Sequence, residues 1–298
     1  MIQSYVSGEA HDRRPLGVAG LAPALFVLLW STGFIGAKLG LPYAEPMTFL
    51  LLRFALLVGL TLAIALALRA PWPATPAQWW HIAIAGLLIQ AGYLGGVFAA
   101  IDHGLSAGMT ALIGGLQPLL TVVAAAPLLG ERTSSRQWLG FVLGFIGVVL
   151  AVFQRLEPGA IEAVALAVFA LICITAGTLY QKRFCAAMDL RSGAAIQFGA
   201  SALVLLIIAP LTETMHVEWT GEFVFALLWL TLVLSLGAMT LLWLLLRHNE
   251  ASRVSAMFYL VPATTALIGF AVFDERLDPL AILGFVVAST GVALVTRR

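Results

Sequence analysis

The sequence predicts an all-α integral membrane protein, ten transmembrane helices built as two inverted five-helix repeats with both termini cytoplasmic. Three observations carry this expectation. Of the 298 residues, 61% are hydrophobic and only 10% are charged, where a soluble domain carries about 25% charge. The apolar residues fall into ten continuous runs, not into the polar–apolar alternation of a membrane barrel. The chain also matches itself at an offset of 144 residues, Pro118 falling on Pro262. A mean hydropathy of +1.00 excludes a disordered chain and leaves too little surface charge for a soluble enzyme. A formal charge of +1 without a basic patch excludes a nucleic-acid binder.

A bilayer span takes about 20 apolar residues. The runs lie at roughly 18–38, 46–69, 79–101, 105–129, 136–153, 161–181, 192–212, 221–246, 251–273 and 279–296. Breakers separate them: Pro42 and Pro46, then Pro71, Pro73 and Pro76, then Pro158 with Gly159. No soluble domain fits between them. Met1 to Pro15 is polar, and no small-residue cleavage site precedes a soluble domain, so the first run reads as a retained span. Cys173 and Cys185 stand about 18 Å apart on a helix, beyond disulfide reach, and are silent about redox compartment.

Orientation follows from Lys and Arg placement. With a cytoplasmic N-terminus, inside segments hold Arg13, Arg14, Arg69, Arg132, Arg136, Lys182, Arg183, Arg191, Arg247, Arg253, Arg297 and Arg298. Outside segments hold Lys38, Arg155 and Arg276, a bias of 12 against 3. The loop with Glu213, Glu218 and Glu222 has no Lys or Arg, which suits an outside position.

The repeat is clearest over 116–151 and 260–295, where 12 of 36 positions are identical without a gap. Apolar bias inflates matches of Leu and Val, but not the paired Pro118/Pro262, Glu131/Glu275 and Arg132/Arg276. The same offset pairs Gly33 with Gly177, Lys38 with Lys182 and Phe54 with Phe198. The organisation is thus a tail at 1–17, one repeat at 18–153 and a second at 161–296. Each repeat holds five spans. Five is odd, so the second must sit upside down. Inverted repeats are the mark of many secondary transporters, whose substrate site lies near the midplane between repeats.

The motifs W-S-T-G-F (30–34), Arg53-Phe54, the Pro-then-Glu-Arg ending of spans four and nine, and the Gly-rich spans five and ten resemble the EamA unit of the drug/metabolite transporter superfamily. The resemblance covers both repeats. Within the superfamily the chain is similar to the YddG-type bacterial aromatic amino-acid exporters. It implies ten helices with both termini inside, residence in the bacterial inner membrane, and export of small metabolites. It also implies a central cavity lined mainly by spans one, three, four, six, eight and nine.

Candidate residues follow from polarity at depth. Gln90, Gln117 and Thr175 are polar groups within spans, and a lipid-facing amide is costly; they bond substrate or other helices. Trp30, Tyr93 and Tyr259 lie deep in cavity spans and either stack on an aromatic substrate or pack helices. Trp79, Trp80, Trp138 and Trp219 start spans and read as interfacial belt. Arg53 is the one strong charge inside a run. It binds a carboxylate, gates with Glu45, or snorkels as an outer-leaflet arginine; its repeat partner is the uncharged Gln197. Lys38 and Lys182 are symmetric gate charges or ordinary interface lysines. Pro118 and Pro262 kink spans four and nine as hinges or fixed packing features. Glycine pairs such as Gly140/Gly144 suggest close helix packing.

No Asp or Glu lies in the middle of a run, although proton-coupled carriers often use one. The expectation is therefore a facilitator, with a His-based proton carrier left open. No spacing resembles a metal site, and neither metal nor cofactor is expected. The reading is an alternating-access exporter of amino acids, aromatic and other neutral ones, or related small metabolites, through a largely apolar cavity. Its partners are that small-molecule substrate and the lipid bilayer; monomer and dimer stay open. The alternative is a proton-coupled multidrug or amphipathic-metabolite exporter. An intramembrane enzyme needs a catalytic dyad or metal at depth, a scaffold has no use for the repeat, and phosphate antiport wants paired basic residues.

Overall fold

The structure, a computed structural model, describes residues 18–129, 134–153, 158–238, 241, 245, 258, 260–275 and 279–296. Its elements are α1 (Val18–Gly40), α2 (Pro46–Ala67), α3 (Pro76–Asp102) and α4 (Ala107–Gly114 with Gln117–Leu129), then α5 (Ser135–Phe153), α6 (Pro158–Phe184) and α7 (Leu190–Thr212), then α8 (Gly221–Ala238), α9 (Leu260–Phe273) and α10 (Pro279–Thr296). Helices are what such sequence must form, because a bilayer core offers no partner for a free N–H or C=O. Seven stretches, in α1, α2, α3, α4, α6, α7 and α8, are long and apolar enough to cross a membrane, and α5, α9 and α10 hold shorter apolar stretches. Large apolar side chains also face outward, among them Leu203, Ile207, Leu211 and Leu267.

The helix starts are locally encoded. Ser106 and Thr220 accept hydrogen bonds from the backbone N–H of Met109 and Phe223, and Thr75 forms a reciprocal cap with Gln78. Pro76 and Pro158, expected as breakers, also open α3 and α6. The first helical position has no acceptor for its N–H, so proline fits there without loss. Both helices therefore begin ahead of the apolar runs at 79 and 161.

Two helices are irregular. Leu87–Gly92 in α3 and Trp229–Ala238 in α8 are π-helical, a winding found mostly at functional sites. Shifted by the repeat offset, the first segment falls inside the second.

Packing between the repeats is reciprocal. A Cβ on Gly284 of α10 would stand 2.5 Å from the Gly147 carbonyl oxygen of α5, and one on Gly291 would stand 2.5 Å from that of Gly140. Gly140/Gly284 and Gly147/Gly291 are counterparts in the repeat. Phe54 of α2 meets its own counterpart, Phe198 of α7, with ring centroids 5.8 Å apart. Gly33 of α1 receives Leu234 from the π segment of α8, and Gly177 of α6 receives Ile89 from that of α3. These contacts of one repeat have images in the other, as a local two-fold relation produces. The core between them is aromatic, with Phe26, Phe49, Phe54, Phe98 and Phe223 fully buried.

Candidate functional site

Trp30, Gln90 and Tyr93, expected to line a cavity, are half-buried in this structure. Trp30, Tyr93, Leu234 and Phe258 lie against one buried core. Trp30 meets Phe26 at 5.4 Å and Phe258 at 5.2 Å between ring centroids, and the two phenylalanines meet at 5.2 Å. Phe26 and Phe258 look like ordinary apolar residues in the sequence; only the fold gathers the three rings. Thr32 accepts a hydrogen bond from the Trp229 indole at 2.9 Å, joining α1 to the start of the π segment of α8. Gln90 lies half-buried in the π segment of α3, and Tyr93 follows it directly. Tyr259 falls outside the described residues.

Two candidates bond within the helix bundle. The Gln117 amide donates to Thr178 Oγ1 at 3.0 Å, tying α4 to α6. The Thr175 hydroxyl, buried, donates to the Leu171 carbonyl one turn back at 2.7 Å. Its counterpart Ser31 bonds the equivalent Val27 carbonyl at 2.7 Å.

Arg53 is 4% exposed. Its Nη2 donates to Ser235 Oγ, in the π segment of α8, at 3.0 Å. Its Nε is buried without a hydrogen-bond acceptor. The expected gate with Glu45 does not form here: both the N–H and the hydroxyl of Thr214 donate to Glu45 at 2.7 Å. Glu213 meanwhile accepts from the N–H groups of Met47 and Thr48 at 2.7 Å, capping α2. The acidic loop thus serves a helix N-terminus, where negative charge is favoured.

Lys38 pairs with Glu275, just beyond α9. The Glu275 carboxylate also accepts from the Ala107 N–H at the start of α4, at 3.2 Å. The Lys38 ammonium stands 5.0 Å from the Phe273 ring centroid. One ion pair therefore joins α1 and α4 of the first repeat to the end of α9 in the second. Glu275 was visible in the sequence only as the counterpart of Glu131; its pairing with a lysine 237 residues away is a product of the fold. Lys182 closes the last turn of α6.

Span four is broken more fully than a single kink. A turn at Gly115 and Leu116 divides it, and Pro118 lies one residue into the second half. Pro118 has no N–H for the Gly114 carbonyl. A Cβ on Gly115 would come within 3.1 Å of Pro262, so the two repeat-related proline regions meet. They border a cavity of about 10 Å³, room for about one water. A larger groove, 860 Å³, runs along α2, α3 and α7 and is bordered by Trp72, Trp79 and Trp80; Trp79 and Trp80 fit the interfacial belt.

Residues 18–153 and 161–297 each match the EamA-like transporter family. The chain belongs to that family. As an EamA protein it is a membrane transporter and not an enzyme. It is 26% identical over 280 residues to the uncharacterized transporter YvbV of Bacillus subtilis (strain 168), covering 92% of this chain and 90% of that one. It is 27% identical over 285 residues to a probable amino-acid metabolite efflux pump of Escherichia coli (strain K12), covering 91% and 92%. A solved crystal structure shares the fold with a TM-score of 0.64 and 22% identity, over 93% of this chain and 96% of the other.

Proposed function

We propose that this EamA protein exports neutral amino acids or related small metabolites across the bacterial inner membrane by alternating access between two inverted five-span repeats. The observation that carries the reading is the Lys38–Glu275 pair, with the α4 N-terminus on the same carboxylate. It closes one face of the molecule by joining the repeats, and breaking it would free them to part there. The charge bias makes this the external face, with ten spans and both termini in the cytoplasm. The reciprocal glycine contacts support the inversion, since they let two equivalent packings exchange. The broken α4, with Gly115 against Pro262 and Pro118 three residues further on, is the hinge. Trp30, Gln90 and Tyr93 are the proposed lining of the substrate path. The name of the Escherichia coli relative, a probable amino-acid metabolite efflux pump, supports the substrate class, and so does the resemblance to YddG-type exporters.

No span centre among the described residues carries an acidic side chain, which favours a facilitator moving substrate down its gradient. The test is counterflow of labelled phenylalanine, tryptophan, threonine and a lipophilic cation in proteoliposomes, with and without a proton gradient. Gradient-independent amino-acid flux is expected. Flux of the cation alone, or flux only with the gradient, overturns the reading in favour of a coupled multidrug exporter.

A further inference from the structure

Arg53 is a cation that the scaffold does not require. Its counterpart in the other repeat, Gln197, is neutral, equally buried at 6% exposure, and satisfied by the Gln181 side chain at 2.8 Å. A guanidinium presents five N–H donors. Arg53 engages the Ser235 hydroxyl, and its Nε is buried without an acceptor. Lys38 and Arg191 are each paired with a carboxylate, Glu275 and Asp189; Arg53 pairs with none among the described residues. A buried charge left without a counter-ion is strongly unfavourable, and an ionisable group at membrane depth is normally paired or functional.

The surroundings fit an anionic ligand. Ser235 lies in the π segment of α8. An irregular winding from the other repeat therefore lies against this arginine. The Ser235 hydroxyl already bonds back to the Leu230 carbonyl at 3.0 Å, which turns its lone pairs toward the guanidinium. A carboxylate has the planar pair of oxygens that an arginine fork accepts in bidentate fashion. An ammonium or a lipophilic cation would be repelled at the same place.

We infer that Arg53, with the Ser235 hydroxyl beside it, is the binding site for the carboxylate of the substrate, so that this transporter selects small carboxylates with an apolar body and rejects amines lacking that group. The inference rests on the transport reading for its biological meaning, but the site can be tested by binding alone.

The test compares 3-phenylpropionate, which has the carboxylate without the amine, with phenethylamine, which has the amine without the carboxylate. Thermal stabilisation of the purified full-length protein by each ligand is measured first, then their competition with labelled phenylalanine in counterflow. The wild type is expected to be stabilised by phenylpropionate and not by phenethylamine. Arg53→Gln, which installs the residue the other repeat already carries, should weaken phenylpropionate by about tenfold or more, the loss expected for a charge-assisted hydrogen bond. Arg53→Lys should retain part of the preference, because it keeps the charge and loses the fork. Equal binding of the two ligands by the wild type, binding of neither, or an undiminished carboxylate preference in Arg53→Gln overturns the inference. Carboxylate binding that depends on Arg53 without any counterflow would sink the transport reading and leave the site standing.

Discussion

Arg53 and Gln197 hold the same register in the two repeats, and the protein surrounds them differently. Gln197 is fully accommodated: its amide bonds Gln181, and its backbone presses on Gly86 so closely that a Cβ there would stand 2.5 Å from the Gln197 Cα. Arg53 is held by one hydrogen bond to Ser235 and keeps a buried nitrogen without an acceptor. The scaffold around them is symmetric, with a π segment in α3 answering one in α8 and Gly177 answering Gly33. The difference teaches that fold and selectivity are separable here. Glycines and apolar spans build the two-fold frame, and a single unmatched side chain breaks its symmetry in charge.

The sharpest way to break that comparison is Gln197→Arg. The site is closed by Gly86 and shows no counter-ion among the described residues, so the second cation should cost about 3 kcal/mol, the penalty for a charge at membrane depth. Loss of monodisperse protein in detergent, with a large fall in thermal midpoint, is expected; wild-type stability would mean the two sites are not different. A second test probes the symmetry itself. Gly147→Leu and Gly291→Leu each overfill the α5–α10 contact and should each cost about 1–3 kcal/mol or more. Nearly equal losses in thermal midpoint are expected from these counterpart positions, and a large inequality would break the two-fold account.

Lys38→Met addresses the closed face. The Glu275 side chain is only 9% exposed, so removing its cation leaves a carboxylate poorly solvated and the face loosened. Labelling of Ala107→Cys by a membrane-impermeant maleimide should rise in the Lys38→Met background and fall back in the double change with Glu275→Gln. Unchanged labelling would remove the pair from any gating role. The smallest effect is at Asp189, which caps α7. Its carboxyl, hydrogen-bonded by Arg191, is held down to about 2. A depressed carboxyl contributes stability above its unfolded value of about 3.9, and that stability is lost as pH falls through 4 toward 2. The wild type should therefore be slightly more stable than Asp189→Asn at pH 6 and equal to it at pH 2. A gap that persists at pH 2 would point to geometry instead of charge.

Much of the frame was legible from local rules. Apolar runs, proline positions and the 144-residue offset anticipate helices, breaks and counterpart residues without any long-range information, because a bilayer demands internally bonded backbone. The π segments were not legible, since nothing in Leu87–Gly92 or Trp229–Ala238 differs in composition from its neighbours. Pro46, Pro76 and Pro158 lie between apolar runs and also open the helices that follow, because the first helical turn needs no N–H from them.

By itself the sequence determined a membrane-embedded helical chain, its duplication, and the polar residues available at depth. Those properties follow from composition and periodicity, which are local. Only the tertiary structure decided what those residues do: that Lys38 meets Glu275, that Glu45 serves Thr214 instead of Arg53, that Gln117 joins α6, and that Arg53 is left with an unsatisfied nitrogen beside the π segment of α8. Partner choice across 61 to 237 residues depends on how helices rotate and cross, and that is set by the close approach of glycine surfaces, not by the order of residues along the chain.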